Sequence, residues 1–406
     1  MAWEARMNPA GRSLHTVRWL TLGAVMAAAS ITAMELMLAL AVLTWLALLL
    51  AGRRRDLLPN AELTILLGLL MSWNIISALA AVDRQQALAG LPSGLLLLAA
   101  PLATAVLASH DRELMRALML LEAGLLGLWA MVELLFLWDG NPLLRVRGPF
   151  SHHMTLAGVL LVMVLQALPR PGLSPLVGEP WGRRLGRAAA LAGLGGLTAT
   201  LTRSAILAVV CGLATLVLTS PHPRWRRWRR PGAVLMVLLV GTAVSLPWFP
   251  GGGNQPPSAA AASVTDRLQL WRAGAAMVRD HPWLGVGPDG TRRVVAGYLD
   301  PDYQRPGVAS HLHSAWLTLA AEGGLPLLAL VLFFYGRGLA RGRSLLAWGR
   351  DSDLVRGALA ALAGFMVMGF FEDNFDDSEV FFVHMMTLAV VWQRRGRGAA
   401  GRDAPV

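Results

Sequence analysis

The sequence predicts an all-α polytopic membrane protein with about 12 transmembrane helices and one large external loop that contains amphipathic helices. Composition is the first indication: 55% of the 406 residues are hydrophobic and 15% are charged, and the mean hydropathy of +0.51 is an average over the whole chain. Apolar runs long enough to cross a bilayer also recur from end to end. Arginines cluster in the short segments between these runs, as expected for loops at a membrane surface.

The N-terminal segment is short and basic and leads into apolar sequence, which we interpret as an uncleaved first helix. The apolar run continues to Leu50, long enough for two helices joined near Thr32 to Glu35. The later predicted spans are 59–80, 88–108, 114–138, 150–168, 187–202, 204–219, 232–249, 313–336, 354–371 and 379–393.

The arginine distribution predicts the orientation of the chain. All 36 basic residues are arginine, and a topology with both termini in the cytoplasm leaves 26 of them on that side and ten outside. The predicted organisation is helices 1–9 in residues 1–249, the external loop in 250–312, helices 10–12 in 313–393 and a cytoplasmic tail in 394–406. The net charge of +11 comes from short clusters facing anionic lipid, so nucleic-acid binding is not expected.

The external loop holds the most complex polar stretch of the chain, residues 265–324. The loop opens with GGGNQPPSAAAAS, which is typical of a flexible linker. An amphipathic helix follows, capped by Thr265 or Asp266, with Leu268, Trp271, Ala275 and Val278 on its apolar face, and Pro282 ends it. A turn-rich section then leads to His311 and His313 at the mouth of the next apolar helix.

Several motif matches have simpler interpretations. The series Gly285-Val286-Gly287-Pro288-Asp289-Gly290 fits G-x-G-x-x-G but follows a helix rather than a strand, so it indicates a tight turn and not a dinucleotide site. The histidines lack the i, i+4 spacing of helical zinc motifs, and we predict no metal and no other cofactor. The single cysteine, Cys211, excludes an intrachain disulfide. Glu122 and Glu133 lie on nearly one helix face, where a buried polar pair that fixes packing is the simpler interpretation.

The arginines outside the cytoplasm are the candidate ligand-binding residues. Arg203 lies between two short apolar segments with no acid beside it, Arg147 precedes another span, and Arg267 begins the surface helix. Ordinary headgroup contacts are the alternative interpretation of each. A guanidinium offers a planar donor fork and a permanent charge, so three of them facing one cavity would suit a phosphate-bearing ligand.

Four segments, taken together and in this order, resemble the O-antigen ligase and polymerase superfamily: RVRGPFSHH, LTATLTRSA, DRLQLWRAGAAMVRDHPWLGVGP and HLHSAWLTLAAEGGLPLL. Within them the Arg-x-x-x-Trp helix, the Pro-x-x-Gly-x-Gly turn and the His-polar-x-x-Leu…Glu-x-Gly stretch each occur. The residues are Arg267 and Trp271; Pro282, Gly285 and Gly287; and His313, Ser314, Leu317, Glu322 and Gly324. The family often has asparagine where this chain has Ser314. The resemblance covers Arg147 to Gly324.

The resemblance implies transfer of a glycan from undecaprenyl pyrophosphate to an acceptor hydroxyl at the periplasmic face of the bacterial inner membrane. In the ligase branch the acceptor is lipid A-core, and the external loop is periplasmic. Arg203, Arg267 and Arg147 would bind the donor pyrophosphate, and His313 would be the base. Ser314, Trp271 and Glu322 are candidates to orient the histidine or contact the acceptor. Two alternate positions of one helix point about 200° apart, so at most one of His311 and His313 can face a cavity shared with the arginines. We expect it to be His313, because the family's polar-x-x-Leu pattern follows this residue.

Other functions remain open at this point. A polymerase, or a protein O-oligosaccharyltransferase, shares the same donor chemistry. A polytopic transporter would explain the number of spans, but it predicts repeated halves and acids at midplane depth. The sequence has no internal repeat, and its candidate charges lie at one face.

Overall fold

The computed structural model describes residues 9–52, 55–138, 144–221, 257–301, 311–349 and 352–393. The predicted span 232–249, the RWRRWRR segment, the start of the predicted linker and the C-terminal tail lie outside these residues. The described residues form helices, turns and short 3₁₀ segments and contain no strand. The α-helices are α1 Pro9–Met26, α2 Ile31–Leu50, α3 Ala61–Ala80, α4 Arg84–Gly90, α5 Ala99–Val106, α6 Ser109–Leu137, α7 His153–Ala167, α8 Ser174–Val177, α9 Trp181–Ala199, α10 Arg203–Thr219, α11 Pro257–Asp280, α12 Thr291–Val294, α13 Ala315–Ala347, α14 Ser352–Met368 and α15 Ser378–Val391.

Five helical segments of the described chain are long and apolar enough to cross a membrane: α2, α3, the stretch from Arg84 to Val106, α6 and α13. α7, α10 and α15 are apolar but shorter. The protein is therefore a multi-pass membrane protein. Most of the described helices lie within a few residues of the predicted spans, but α13 continues to Ala347, eleven residues past its predicted end, and α9 begins six residues before its predicted start. The count of 12 spans stays a prediction.

α7 and α15 form the centre of the bundle. Every residue of α7 from Thr155 to Ala167 is buried, and so is every residue of α15 from Glu379 to Val391. α14 packs on both, and α10 packs on α14. α7 and α15 are largely apolar on every side, as expected for helices that other helices bury. The N-terminal ends of α7, α10, α13 and α15 meet at one end of the bundle, which we call the site end.

Small residues let α6 and α9 approach closely at the side of the bundle. A Cβ on Gly124 or Gly127 would overlap the backbone of α9 at Ala189 or Ala192. In a membrane the hydrophobic effect does not drive helices together, because lipid tails are as apolar as the side chains. Close approach at small residues instead stabilises the helix pair through van der Waals contact. Glu122 and Glu133 of α6 bind backbone N–H groups instead of each other: Ala29 donates to the first at 3.2 Å, and Gly148 to the second at 2.7 Å.

The surface helix α11 differs from its prediction at its start and in its buried face. It begins at Pro257 rather than near Thr265, so the alanine run predicted as linker is helical. Proline suits the first helical turn and alanine has the highest helix propensity, which explains the extension. Its buried hydrophobic residues are Leu270, Ala273 and Met277, whereas Leu268 is 47% exposed.

A small apolar cluster of its own holds α11 in place. The buried face of α11 packs against Leu312 and Val286, together with Val295 and Ala321. The segment that contains α11 is thus attached to the start of α13 by its side chains. This attachment places α11, and the charged residues at its sides, over the site end of the bundle.

The turn after α11 interlocks with a kink in α13. Gly324 has φ 75° and ψ 175°, and Leu325 N donates to Pro282 O at 2.8 Å. Gly285 has φ 66°, and a Cβ at either glycine would overlap backbone of the other segment. Only glycine tolerates both the positive φ and the close approach. The Pro-x-x-Gly-x-Gly turn and the Glu-x-Gly stretch are therefore two halves of one backbone contact.

Candidate functional site

Three arginines from separate parts of the chain lie within electrostatic range of one another at the site end. They are Arg145 in the loop before α7, Arg203 at the first position of α10, and Arg267 on α11. Arg145 also lies 3.1 Å from the ring of His153, measured from its Nη1 to Nε2. Like charges repel one another, so a nearby anion stabilises this arrangement.

The carboxylate of Glu372 lies within electrostatic range of Arg267 and Arg145. Its Oε1 accepts a hydrogen bond from Ser204 Oγ at 3.0 Å and lies 3.5 Å from Nη2 of Arg267. Its side chain is only 7% exposed. Burial raises the pKa of Glu372, while Arg267, Ser204 and Arg145 oppose the rise. One carboxylate against three guanidiniums leaves an excess of positive charge among these four side chains.

His313 lies next to this arginine group, immediately before α13. Its φ of 49° is in the left-handed region, an uncommon conformation for a residue with a side chain and one often found at functional positions. The pKa of His313 is lowered to about 4, mainly by burial and also by His311 and Arg267, while Asp266 opposes these effects. The imidazole is therefore neutral at pH 7 and able to accept a proton.

The relation between the two histidines differs from the prediction. Neither residue belongs to the helix, because α13 begins at Ala315, so the 200° argument does not apply. The two rings touch edge to face, with centroids 4.8 Å apart. His311 is thus a direct neighbour that sets the electrostatic surroundings of His313.

The loop from Glu372 to Asp377 links the helices that form the site. Backbone carbonyls of Gly369 and Glu372 accept from Ala315 N at 2.8 and 3.1 Å, which ties the start of α13 to this loop. Asp373 accepts from Thr318 Oγ1 at 2.7 Å, and Asp377 accepts from Thr155 Oγ1 at 3.3 Å. Burial raises the pKa of Asp373 to about 6 and that of Asp377 to about 7.

Glu372 and Arg145 are the members of the site that sequence reasoning missed. The signal for the first was present, since five acids between residues 372 and 379 separate two apolar runs on the side predicted to be external. Such a cluster complements the external arginines, and its charge pattern alone would have marked it. The signal for Arg145 was weaker, because RVR contains two arginines and nothing local distinguishes them.

The other predicted site residues take different places. Arg147 is exposed, as Arg145 and Arg203 are, and its backbone N–H donates to Glu133 Oε1 at 3.2 Å. Trp271 is one turn from Arg267, and its Nε1 is buried with no hydrogen-bond partner among the described residues. Ser314 is buried and is the N-cap residue of α13, without a side-chain capping bond.

Glu322 lies away from His313, at the kink in α13. Its Oε1 accepts from Thr291 N at 3.2 Å, and its backbone carbonyl accepts from Gly287 N at 3.0 Å. Seven residues of helix separate it from Ala315 at the start of α13, which corresponds to roughly 10 Å. The contacts of Glu322 therefore hold the turn after α11 against α13.

One family model matches part of the chain. Residues 188–332 match the family model described as O-antigen ligase, which confirms the resemblance to the O-antigen ligase superfamily. The matched segment contains Arg203, Arg267 and His313, whereas Arg145 and Glu372 lie outside it. The match supports a membrane glycosyltransferase of the ligase or polymerase family. No curated protein matches the chain.

Proposed function

We propose that this protein is a membrane glycosyltransferase of the ligase branch, which transfers O-antigen glycan from undecaprenyl pyrophosphate to a sugar hydroxyl of lipid A-core. The observation that carries the proposal is the arginine group of Arg145, Arg203 and Arg267 beside the neutral, half-buried ring of His313. A cationic site next to a proton acceptor is what displacement of a pyrophosphate by a hydroxyl requires.

The arginine group is the proposed site of the donor pyrophosphate. Three guanidiniums lie near the single carboxylate of Glu372, and the negative charges of a diphosphate ester would interact favourably with them. A guanidinium can also donate two parallel hydrogen bonds to two oxygens of one phosphate. Charge stabilisation of the leaving group needs no metal or other cofactor. Arg147 stays a predicted contact of the donor, from the same loop as Arg145.

His313 is the proposed general base. In the transfer step the acceptor oxygen forms a bond to the anomeric carbon of the donor, and its proton passes to the imidazole of His313. The bond from that carbon to the pyrophosphate oxygen breaks, and its electron pair stays with undecaprenyl pyrophosphate. A single displacement of this kind inverts the anomeric configuration. Ser314 and Trp271 are the proposed residues for orienting the base or the acceptor, since both lie beside the charged group.

The orientation in the membrane belongs to the same proposal. With both termini in the cytoplasm, the site end and the loop of residues 250–312 face the periplasm, and most arginines remain on the cytoplasmic side of a bacterial inner membrane. This topology brings a lipid-linked donor and a lipid-linked acceptor to one surface. Membrane lipids surround the remainder of the bundle.

Deletion of the gene tests the function. We expect lipopolysaccharide reduced to bare lipid A-core, together with accumulated full-length glycan on undecaprenyl pyrophosphate. The parental gene should restore capping, whereas His313→Ala expressed at the same level should not. Lipid A-core capped with a single repeat would instead assign a polymerase, and unchanged lipopolysaccharide with loss of protein glycosylation would assign an oligosaccharyltransferase.

A further inference from the structure

An apolar cavity of about 180 Å³ lies on the α3 side of the bundle. Leu70 of α3, Leu327 and Val331 of α13, and Phe381 and Met385 of α15 line it. Its volume exceeds the roughly 150 Å³ of an engineered apolar cavity that binds benzene. From Ser378 to Met385 it follows α15 for about 10 Å into the bundle. These dimensions suit part of an alkyl chain.

A polar depression of about 460 Å³ lies at the bundle surface beside this cavity. Hydrogen bonds connect its walls: Gln86 Nε2 donates to Asp289 Oδ2 at 2.9 Å, and Arg293 binds both Asp83 and Gln86. The volume is within the ~300–1,000 Å³ range of small-molecule sites. Carboxylate, amide and guanidinium groups together offer the donors and acceptors that sugar hydroxyls need.

The apolar cavity and the polar depression meet at Gly90, which lines both. Pro288 lines the first and its neighbour Asp289 lines the second. Their combined shape has an apolar part within the helices and a hydroxyl-binding part at the surface, in the order in which a glycolipid presents its chain and its sugars.

Charge separates this region from the arginine group. Here Arg292 pairs with Asp289 at 3.1 Å and with Asp376 at 2.9 Å, and Arg293 pairs with Asp83. Three acids against two arginines leave no positive excess for a diphosphate. The loop from Glu372 to Asp377 lies between the two regions, with Glu372 at the arginine group and Asp376 at the apolar cavity.

We propose that the apolar cavity and the polar depression bind the acceptor glycolipid, with an alkyl chain in the cavity and sugar units in the depression. This inference rests on the proposed function and adds a second lipid site to it. Donor and acceptor then approach from opposite sides of the acidic loop, and the acceptor saccharide extends from the depression toward His313. The two substrates do not compete for one groove.

Matched tryptophan substitutions test each half of the site. Met71→Trp fills the apolar cavity from the half-buried face of α3, and Leu69→Trp places the same ring on the exposed face of that helix, where Leu69 is 48% exposed. Ala89→Trp fills the polar depression. Leu88→Trp is its control, because Leu88 is the adjacent residue and does not line the depression. The full chain in nanodiscs is titrated with rough lipopolysaccharide and, separately, with undecaprenyl pyrophosphate, and bound lipid is measured by native mass spectrometry.

Met71→Trp and Ala89→Trp should each weaken rough lipopolysaccharide binding by about tenfold, as expected for loss of a few buried groups, and leave undecaprenyl pyrophosphate binding unchanged. Leu69→Trp and Leu88→Trp should match the parent for both lipids. Unchanged glycolipid binding in both filled variants would overturn the inference, and so would selective loss of undecaprenyl pyrophosphate, which would assign the cavity to the donor chain. A parental protein that binds neither lipid would instead overturn the proposed function.

Discussion

Arg267 pairs with Glu372 across 3.5 Å although 105 residues separate them in the chain. The pair joins the surface helix to the loop between the last two described helices, and Ser204 brings α10 to the same carboxylate. Glu372 therefore sets the position of one arginine of the proposed donor site. Its removal should change that site without changing the helices around it.

Replacement of Glu372 by glutamine should lower the transfer rate by about tenfold or more, since a buried partner of an ion pair loses its counter-charge. Ser204→Ala, which removes one hydrogen bond, should have a smaller effect. Initial rates with varied donor at saturating acceptor separate binding from turnover. Parental rates in both variants would show that Glu372 does not position the site.

Arg145 and Arg147 form a matched pair for the donor site. Arg203→Ala and Arg267→Ala should nearly abolish transfer, and lysine should rescue only in part because it lacks the bidentate fork. Arg145→Ala should approach this loss, because Arg145 lies within electrostatic range of Arg203 and Arg267, and Arg147→Ala should lose less. Transfer rates and the affinity of each variant for undecaprenyl pyrophosphate are measured together. A stronger loss in Arg147→Ala than in Arg145→Ala would reverse the assignment.

His313→Ala should transfer on the order of 10²–10⁴ times more slowly than the parent while it still binds the donor. His311→Ala should be close to the parent at neutral pH and serves as the control for ring removal. Single-turnover rates with saturating donor give the comparison. If His311→Ala is inactive and His313→Ala survives, His311 is the base.

The rate should depend on pH through His313. The base must be neutral, so kcat/KM should be full above its pKa of about 4 and fall as the pH drops through that value. A bound pyrophosphate favours the protonated form, so the limb in kcat should lie at higher pH than the limb in kcat/KM. His311→Ala removes a neighbour that lowers the pKa of His313 and should move both limbs upward. Limbs that do not move in this variant would contradict the coupling.

Gly324→Ala should destabilise the protein strongly, because it combines a φ of 75° with overlap against the Trp283 carbonyl. Gly336→Ala, in the same helix with open space around it, should be neutral or stabilising by up to ~1 kcal/mol through helix propensity. Thermal unfolding followed by size-exclusion chromatography measures both. Equal midpoints for the two variants would mean that the turn and the kink are not interlocked.

Local pattern was sufficient for much of the architecture. Hydrophobic runs predicted where the helices lie, Pro282 predicted the end of the surface helix, and the glycines at 285 and 287 predicted a tight turn. Each of these depends on interactions within a few residues. The buried face of α11 was predicted wrongly, since Leu268 and Leu270 are equally apolar and only the packing partner distinguishes them.

The sequence by itself determined the class of the protein and most of its described helices, and it predicted Arg203, Arg267 and His313, which lie in the segment that matches the family model. Tertiary structure decided which of these side chains meet. Glu372 reaches Arg267 and Ser204 only because α10, α11 and the loop after α14 converge at one end of the bundle, and Arg145 joins them from a fourth segment. Periodicity reports the direction of a side chain relative to its own helix, whereas a site of this kind depends on how separate helices are placed against one another.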